Sequence, residues 1–538
     1  MAAIQSVHVG IGLILALILK QLVAYLRRGS NPLPPGPSGL PLLGNITQVP
    51  QHQPWLRYHQ WGKEHGPIVY LNLGGQPVIV LNTLETALGL LSRRGAQYSD
   101  RARLVVAGEI GTRGLHILLR PYNRDYLLHQ RMESPLLNPR AANTYRPLQD
   151  LESKQLLFDL LSAFDSNGAK GTDCNHWFER MTASTVYALL YGYRLRTGNE
   201  RELVHAKYVQ IEAIKNIQMG AHLVDLYPVL NYLPSFCAPW KKIGEALWQL
   251  ERNLHVGNMK QGLANPGWNF TKAMKVSKEA KDMSTEELAF DLGILADAAL
   301  DTTTMTLGWL IVAWLTEDKA FVLKAWKILD DVVGRDRLPQ FEDMPRLTYI
   351  QAIVHEAMRW RPVVPGGVPH RYSGSKDDEY LGYRIPAGSL VIANHWGIGR
   401  DESVYGPNPD TFIPERWLCS EGDKESKTLN GIKDMYTPGF GFGRRVCTGQ
   451  HIARNALFIA VARILWAFDV ELATTESGEK VAIDPMANTE GFAVRPLPFN
   501  AVFRPRGLWV KGIIGGDTHD TDLAKILDQV AMDQSIKK

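Results

Sequence analysis

Cys447 sits in the segment FGFGRRVCTG (440–449), where Gly441, Gly443 and Gly449 free the backbone and Arg444 and Arg445 make the surroundings electropositive. A lone cysteine is commonly a buried small hydrophobe, which suits Cys174, Cys237 and Cys419. Cys447 fits that description poorly. Glycines let main chain approach a bulky planar group, and a thiolate needs cations or a metal beside it. The four cysteines form no CxxC pair and no close cluster, which argues against a disulfide scaffold and a cysteine-rich zinc site. Glycines 439, 441 and 443 alternate as in a dinucleotide fingerprint, but no strand and distal acid complete that unit.

Two other segments carry reactive residue types. ADAALDTTT (296–304) sets Asp301 before three consecutive threonines, a poor helix interior. A threonine hydroxyl there can bond the carbonyl one turn back and bend the helix. Equally, an acid beside an alcohol can pass protons. HEAMR (355–359) begins like the zinc motif HExxH, but Arg359 stands at the second histidine position, so a metalloprotease is rejected. Glu356 and Arg359 are i, i+3 neighbours, worth ~0.3 kcal/mol if exposed and a structural clamp if buried with a second guanidinium.

These segments need a scaffold. PIVYLNLGGQPVIVLN (67–82) reads as a hairpin turning at Gly74–Gly75. The pattern is then mainly helical to about residue 360, with a strand-rich interruption at 377–396 and helix again near 447–468. Ser284 and Glu287 form a capping box for a helix reaching about Leu315. No βαβ rhythm appears, which disfavours a doubly wound sheet. The chain has 538 residues, 45% of them hydrophobic and 21% charged, which excludes disorder for the bulk. Its net charge of +4 is too slight to argue for nucleic acid.

The pattern F-x-x-G-x-R-x-C-x-G is met by Phe440, Gly443, Arg445, Cys447 and Gly449, and here the chain resembles the cytochrome P450 family of haem-thiolate monooxygenases. The resemblance covers roughly residues 30–507. It implies a mainly α fold with small β-sheets, a triangular helical prism around haem, preceded by one N-terminal membrane helix. The family's E-x-x-R is matched by Glu356 and Arg359, and its third clamp member by Arg416 in PERW (414–417). Its acid–alcohol segment is matched by Ala298, Asp301 and Thr302, with Ala299 replacing a glycine. Cys447 is implied as the axial ligand of haem b iron, His370 and Arg445 as haem propionate partners. The family's Trp-x-x-x-Arg departs to Tyr126 and Gln130, which puts that side of the propionate clamp in doubt; His129 or Arg131 would compensate only if the helix rotated.

The implied activity is insertion of one oxygen atom of O2 into a hydrophobic small molecule. Electrons come from NADPH through a separate membrane-bound flavoprotein reductase, with cytochrome b5 as a second donor, because no flavin or NADPH domain is readable. Lys433, Arg444 and Arg454 are the residues to meet the reductase's acidic face. The sequence looks most like the filamentous-fungal microsomal branch that tailors secondary metabolites. A haem isomerase or lyase needing no outside electrons is the alternative, and Asp301–Thr302 argues against it. A non-catalytic haem-binding protein is the third class.

At the N-terminus, residues 7–26 are mostly apolar and about 30 Å long as a helix, enough to cross a bilayer. Arg27 and Arg28 favour a cytosolic C-terminal side. The rival is a cleaved signal peptide; against it, residues 1–8 carry no Lys or Arg and no small-x-small site follows. The expected organisation is a lumenal end (1–6), an endoplasmic-reticulum anchor (7–26), a basic, proline-rich hinge (27–45), a cytosolic catalytic domain (46–507) and an extension (508–538). In the last, Leu523, Ile526, Leu527 and Val530 space out one amphipathic helix.

Overall fold

The computed structural model describes residues 31–218, 220–419 and 435–536. The expected lumenal end and anchor, the first hinge residues and Lys433 lie outside the described residues. The principal helices are α1 (Pro54–His65), α2 (Arg124–Leu137), α3 (Arg146–Asn167), α4 (Cys174–Tyr191), α5 (Arg201–Ile217), α6 (Pro239–Ala264), α7 (Thr285–Thr316), α8 (Thr348–Trp360), α9 (Gln450–Ala467) and α10 (Leu523–Ile536). The strands are β1 (Ile68–Leu73), β2 (Gln76–Leu81), β3 (Asp100–Arg101), β4 (Thr172–Asp173), β5 (His370–Arg371), β6 (Asp378–Tyr380), β7 (Tyr383–Ile385), β8 (Leu390–Ala393), β9 (Phe468–Leu472) and β10 (Asn500–Pro505). They make a five-stranded sheet in the order β1-β2-β8-β5-β3, a three-stranded sheet β4-β10-β9 and the β6-β7 hairpin. This is the helix-dominated architecture with small sheets that the sequence predicts, and no doubly wound sheet is present among the described residues.

The β1–β2 hairpin turns at Gly74 (φ +58°) and Gly75 (φ +89°), a left-handed pair that glycine adopts without strain. The proline-rich segment is more than a spacer. The Tyr70 amide donates to the Pro35 carbonyl at 3.0 Å, and Gly44 bridges Leu73, so the described part of the hinge is laid along the sheet edge.

Helix α7 runs through the middle of the molecule. Ser284 caps it by accepting the Glu287 amide at 3.0 Å. The reciprocal half of the predicted capping box is absent, because the Glu287 carboxylate turns to His129 Nε2 (2.9 Å) and Arg120 (3.7 Å) instead. From Leu307 to Trp314 the helix is buried on every face, in one cluster with α3, α4, α8 and α9. That burial explains why α7, although long and apolar enough to cross a bilayer, is a core helix here. The extension docks: Leu527 and Val530 of α10 are fully buried, Gln534 reaches Tyr145 Oη at 2.9 Å, and Thr518 bonds Gln155 at 2.7 Å.

Candidate active site

The cysteine loop precedes α9 and is shaped by two tight turns, Pro438–Phe440 and Gly443–Arg445. The Cys447 amide donates to the Phe440 carbonyl at 2.8 Å, closing the loop beneath the sulfur. Gly443 is required twice over. Its φ is +56°, and a Cβ there would lie 2.0 Å from the Leu91 carbonyl oxygen. Gly449 caps α9, and a Cβ there would stand 4.0 Å from Cys447 Sγ. The sulfur therefore faces the amides of Gly449 and Gln450 at the helix start, which favour its charged form.

Cys447 is enclosed by protein but open to one internal cavity. Burial pushes its thiol up, against the pull of those amides and of Arg454, so a stable thiolate here calls for a metal cation as partner. Phe440, Gly439 and Met358 share its wall; Ala298, Ala299 and Thr302 of α7 and Val363 and Val364 line the cavity with them. Leu295 of α7 and Met181, Thr185 and Leu189 of α4 complete the apolar lining.

Thr302 Oγ1 donates to the Ala298 carbonyl at 3.1 Å, the backbone bond expected of a mid-helix threonine, while the residue stays open to the cavity. Thr304 is turned away, bonded to Thr182 Oγ1 at 2.8 Å. Asp301 does not bond its neighbour. Its carboxylate meets Arg495 at 3.0 Å; Arg495 holds Glu179 at 2.6 Å, and Lys207 holds Glu179 at 2.6 Å from the half-exposed side. Burial raises the Asp301 carboxyl above its ordinary range, with Arg495 opposing.

Beside the loop lies a buried cationic pocket. Arg445 donates to the carbonyls of Ser99 (2.8 Å), Arg120 (2.6 Å) and Ile117 (3.4 Å), and its guanidinium lies 3.9 Å from the Tyr126 ring centre. Arg101, buried where Arg445 is half-buried, donates to the carbonyls of Leu118 (3.2 Å), Val368 (3.2 Å) and Pro369 (3.0 Å). Burial, and then the neighbouring Arg445, lowers the Arg101 guanidinium to about 9. Among the described residues neither guanidinium makes an ion pair with a carboxylate. The nearby acid, Asp100, is engaged by Arg371 (3.6 Å) and the Tyr122 amide (3.0 Å). Arg120 adds a buried Nη1 with no partner among the described residues. His370 Nδ1 bonds the Tyr98 carbonyl at 2.7 Å; burial and Arg101 hold its imidazole well below the usual range, so Nε2 donates only if a carboxylate stabilises the charged ring.

A sulfur ligand facing a cavity, beside guanidiniums short of carboxylates, fits a planar metal group carrying two acid side chains. Tyr126 stays at the pocket through its ring, with its hydroxyl on the Arg444 carbonyl at 3.4 Å. The helix does not rotate to compensate for Gln130. His129 points the other way, to Asp291 and Glu287, and Arg131 is exposed. Arg101 is the guanidinium found instead, and no local sequence pattern marks it.

Glu356 draws Arg359 and Arg416 together, and Glu356 and Arg359 are fully buried. Glu356 Oε1 accepts from Arg359 Nη2 (2.6 Å), Arg416 Nε (3.1 Å) and the Ile413 amide (2.8 Å); Oε2 accepts from Arg359 Nε (2.7 Å) and Trp417 Nε1 (2.9 Å). The free donors of both arginines tie down the carbonyls of residues 399–411. Met358, on the same helix, lies 3.9 Å from where a Cβ on Gly439 would stand, so the clamp backs the cysteine loop.

A helical fold with a cysteine loop opening on an internal cavity and a buried ion cluster behind it defines a class. A family model described as cytochrome P450 matches residues 34–503, and the chain belongs to the cytochrome P450 family, as a haem-containing oxidoreductase of the filamentous-fungal, secondary-metabolism type. It is 41% identical over 489 residues to cytochrome P450 monooxygenase aneD of Aspergillus aculeatus, covering 90% of each chain. It is 35% identical over 515 residues to cytochrome P450 monooxygenase FrzL of a Cladobotryum species (95% of each). It is 36% identical over 476 residues to cytochrome P450 monooxygenase peniB of Penicillium patulum, covering 88% of this chain and 85% of the relative.

Proposed function

We propose that the protein is a membrane-anchored monooxygenase that hydroxylates a hydrophobic small molecule, drawing electrons from NADPH through a separate reductase. The observation that carries this reading is the Cys447 sulfur opening on the cavity whose lining includes Ala298, Ala299 and Thr302. Haem b, when bound, supplies reductive activation of O2 and oxidation of a C–H bond. Cys447 would hold its iron; Arg101, Arg445, His370 and Tyr126 would hold its propionates. Phe440, Gly443 and Gly449 keep the loop compact around the sulfur. Thr302 presents a hydroxyl at the cavity, and Asp301 behind it returns protons to that hydroxyl while Arg495 balances its charge. Glu356, Arg359 and Arg416 fix the wall without touching the chemistry. Apolar side chains such as Leu295, Val363 and Val364 favour a substrate of low polarity.

Membrane attachment has support beyond the anchor expected at 7–26. Tyr232 and Phe236 are 91% and 87% exposed, and Leu223 and Val229 are also bare. Tyr227 Oη donates to the Gly74 carbonyl at 3.0 Å, and a Cβ on Gly74 would lie 3.0 Å from Ile46, which brings this segment beside the exposed Leu42, Leu43 and Ile46. Arg444 is exposed on the side of the cysteine loop and offers a cation to an acidic redox partner. The test is turnover by full-length protein co-expressed with reductase under 18O2, screening hydrophobic metabolites. NADPH-dependent incorporation of one labelled oxygen supports the reading; peroxide rearrangement without NADPH would replace it with the lyase class.

A further inference from the structure

Asp301 has a neighbour that the mechanism above does not use. Asp297 lies one helical turn earlier on α7, on the same face. Helix α6 crosses there so closely that a Cβ on Gly293 would sit 2.0 Å from His255 Nδ1. His255 Nε2 comes within 3.7 Å of Asp297 Oδ2 and makes no hydrogen bond among the described residues. Glu251, one turn earlier on α6, is 2% exposed, and both its carboxyl oxygens lack partners among the described residues. The groups facing this cluster are Tyr187 and Tyr191 from α4, Gln210 from α5 (on the Asp297 carbonyl at 2.8 Å), Asn258 from α6, Asp301 from α7 and His116, held neutral by burial, beside His255. None is a cation.

We infer that Asp297, backed by Glu251 and His255, is the proton store that refills Asp301 during turnover. This rests on the monooxygenase reading and extends it to a residue acting through Asp301. Burial, and then Asp301, pushes the Asp297 carboxyl up to about 8; burial lowers His255 to about 3, and Glu251 is raised well above the carboxylate range. At neutral pH the cluster is therefore protonated acid beside neutral imidazole. Asp301 differs because Arg495 stabilises its anion. When Asp301 gives a proton up at Thr302 Oγ1, it is left as the carboxylate paired with Arg495. The Asp297 carboxyl then passes its proton through a bridging water to Asp301. Asp297, with 21% of its side-chain surface open, is the member of the cluster that water can reach to return a proton. One proton moves inward per cycle of the store, and no electrons are involved.

The experiment uses full-length, haem-loaded protein with reductase, comparing wild type, Asp297→Asn and Asp297→Glu. In Asp297→Asn, product formed per NADPH consumed should fall roughly tenfold or more, with a larger solvent deuterium isotope effect. The wild-type decline in product rate as pH rises through about 8 should also vanish. Asp297→Glu should restore coupling in part. Infrared spectra of resting wild type should show a protonated carboxyl band that titrates near pH 8 and is missing from Asp297→Asn. Unchanged coupling, isotope effect and pH profile in Asp297→Asn would overturn the inference. So would a wild-type spectrum with no such band, which decides the matter even if the variant fails to fold. Loss of the carbon monoxide signature in wild type would defeat the haem-thiolate reading and the store's role with it, whereas a missing infrared band beside an intact carbon monoxide signature would defeat the store alone.

Discussion

Glu356→Gln is the sharpest test of the clamp, because it changes one atom and leaves the volume alone. Glu356 takes five donors on two oxygens, three on Oε1 and two on Oε2. A glutamine amide must turn its NH2 to one side or the other, so at least two N–H groups meet a donor rather than an acceptor. The guanidiniums of Arg359 and Arg416 also lose their only carboxylate among the described residues, in a place where Arg359 is wholly buried. Removing one partner of a buried ion pair costs about 3–5 kcal/mol. At about 2 cal/mol/K of unfolding entropy per residue, a catalytic domain of this length has roughly 1 kcal/mol/K, so the midpoint should fall by about 3–5 °C. The assay is thermal unfolding of detergent-solubilised protein, followed by tryptophan fluorescence and by the haem Soret band. Because the clamp backs the cysteine loop through Met358, the Soret transition should move at least as far as the fluorescence transition. A midpoint within about half a degree of wild type would refute the reasoning, since it would mean the carboxylate is not the counter-charge of both arginines.

Gly443→Ala should disrupt the site itself. The new Cβ meets the Leu91 carbonyl at 2.0 Å under a positive φ, so the loop must shift and the protein should lose part of its thiolate-ligated haem, read from the carbon monoxide spectrum; full retention would contradict the geometry. Leu527→Asp buries a charge at a fully enclosed position and should release α10, exposing residues 508–520 to limited proteolysis; wild-type resistance would show that α10 is not held by that face. The pH dependence of stability follows from Asp297. Its folded carboxyl is raised from 3.8 to about 8, so the stability of the protonated group is complete below 3.8 and is lost as pH rises towards 8. Asp297→Asn should therefore gain on wild type in urea midpoint from pH 5 to pH 8 and level off above; a constant difference would count against the shift.

What could be read from the chain was what lies close together along it. The loop from Phe440 to Gly449, the Gly74–Gly75 turn, the Glu356–Arg359 pair and the Ser284 half of the capping box are all set within ten residues of each other. Arg416 was reached through the family pattern rather than by spacing. The missed groups are those whose partners arrive from far away. Arg495 and Glu179 are 316 positions apart, and only the packing of the 490s loop against α4 makes Arg495 the counter-ion of Asp301. Arg101 comes from a two-residue strand with no periodicity to mark it, and it is a buried guanidinium on the side where Gln130 offers none. The Glu287 side chain left the capping box because two long-range partners, His129 and Arg120, hold it more strongly than one amide would. Docking of α10 depended on α3 and the loop after α4 presenting Gln155 and Arg194 to Thr518, which spacing within the extension does not reveal.

The central claim is a bond from the Cys447 sulfur to haem iron. Full-length protein, loaded with haem, is reduced with dithionite and exposed to carbon monoxide, and the Soret maximum is recorded for wild type and for Cys447→Ser. Wild type should show the far-red displacement that thiolate ligation produces, and the variant should lose it. A natively folded, haem-loaded wild type without the displacement, or a Cys447→Ser protein that keeps it, would contradict the account.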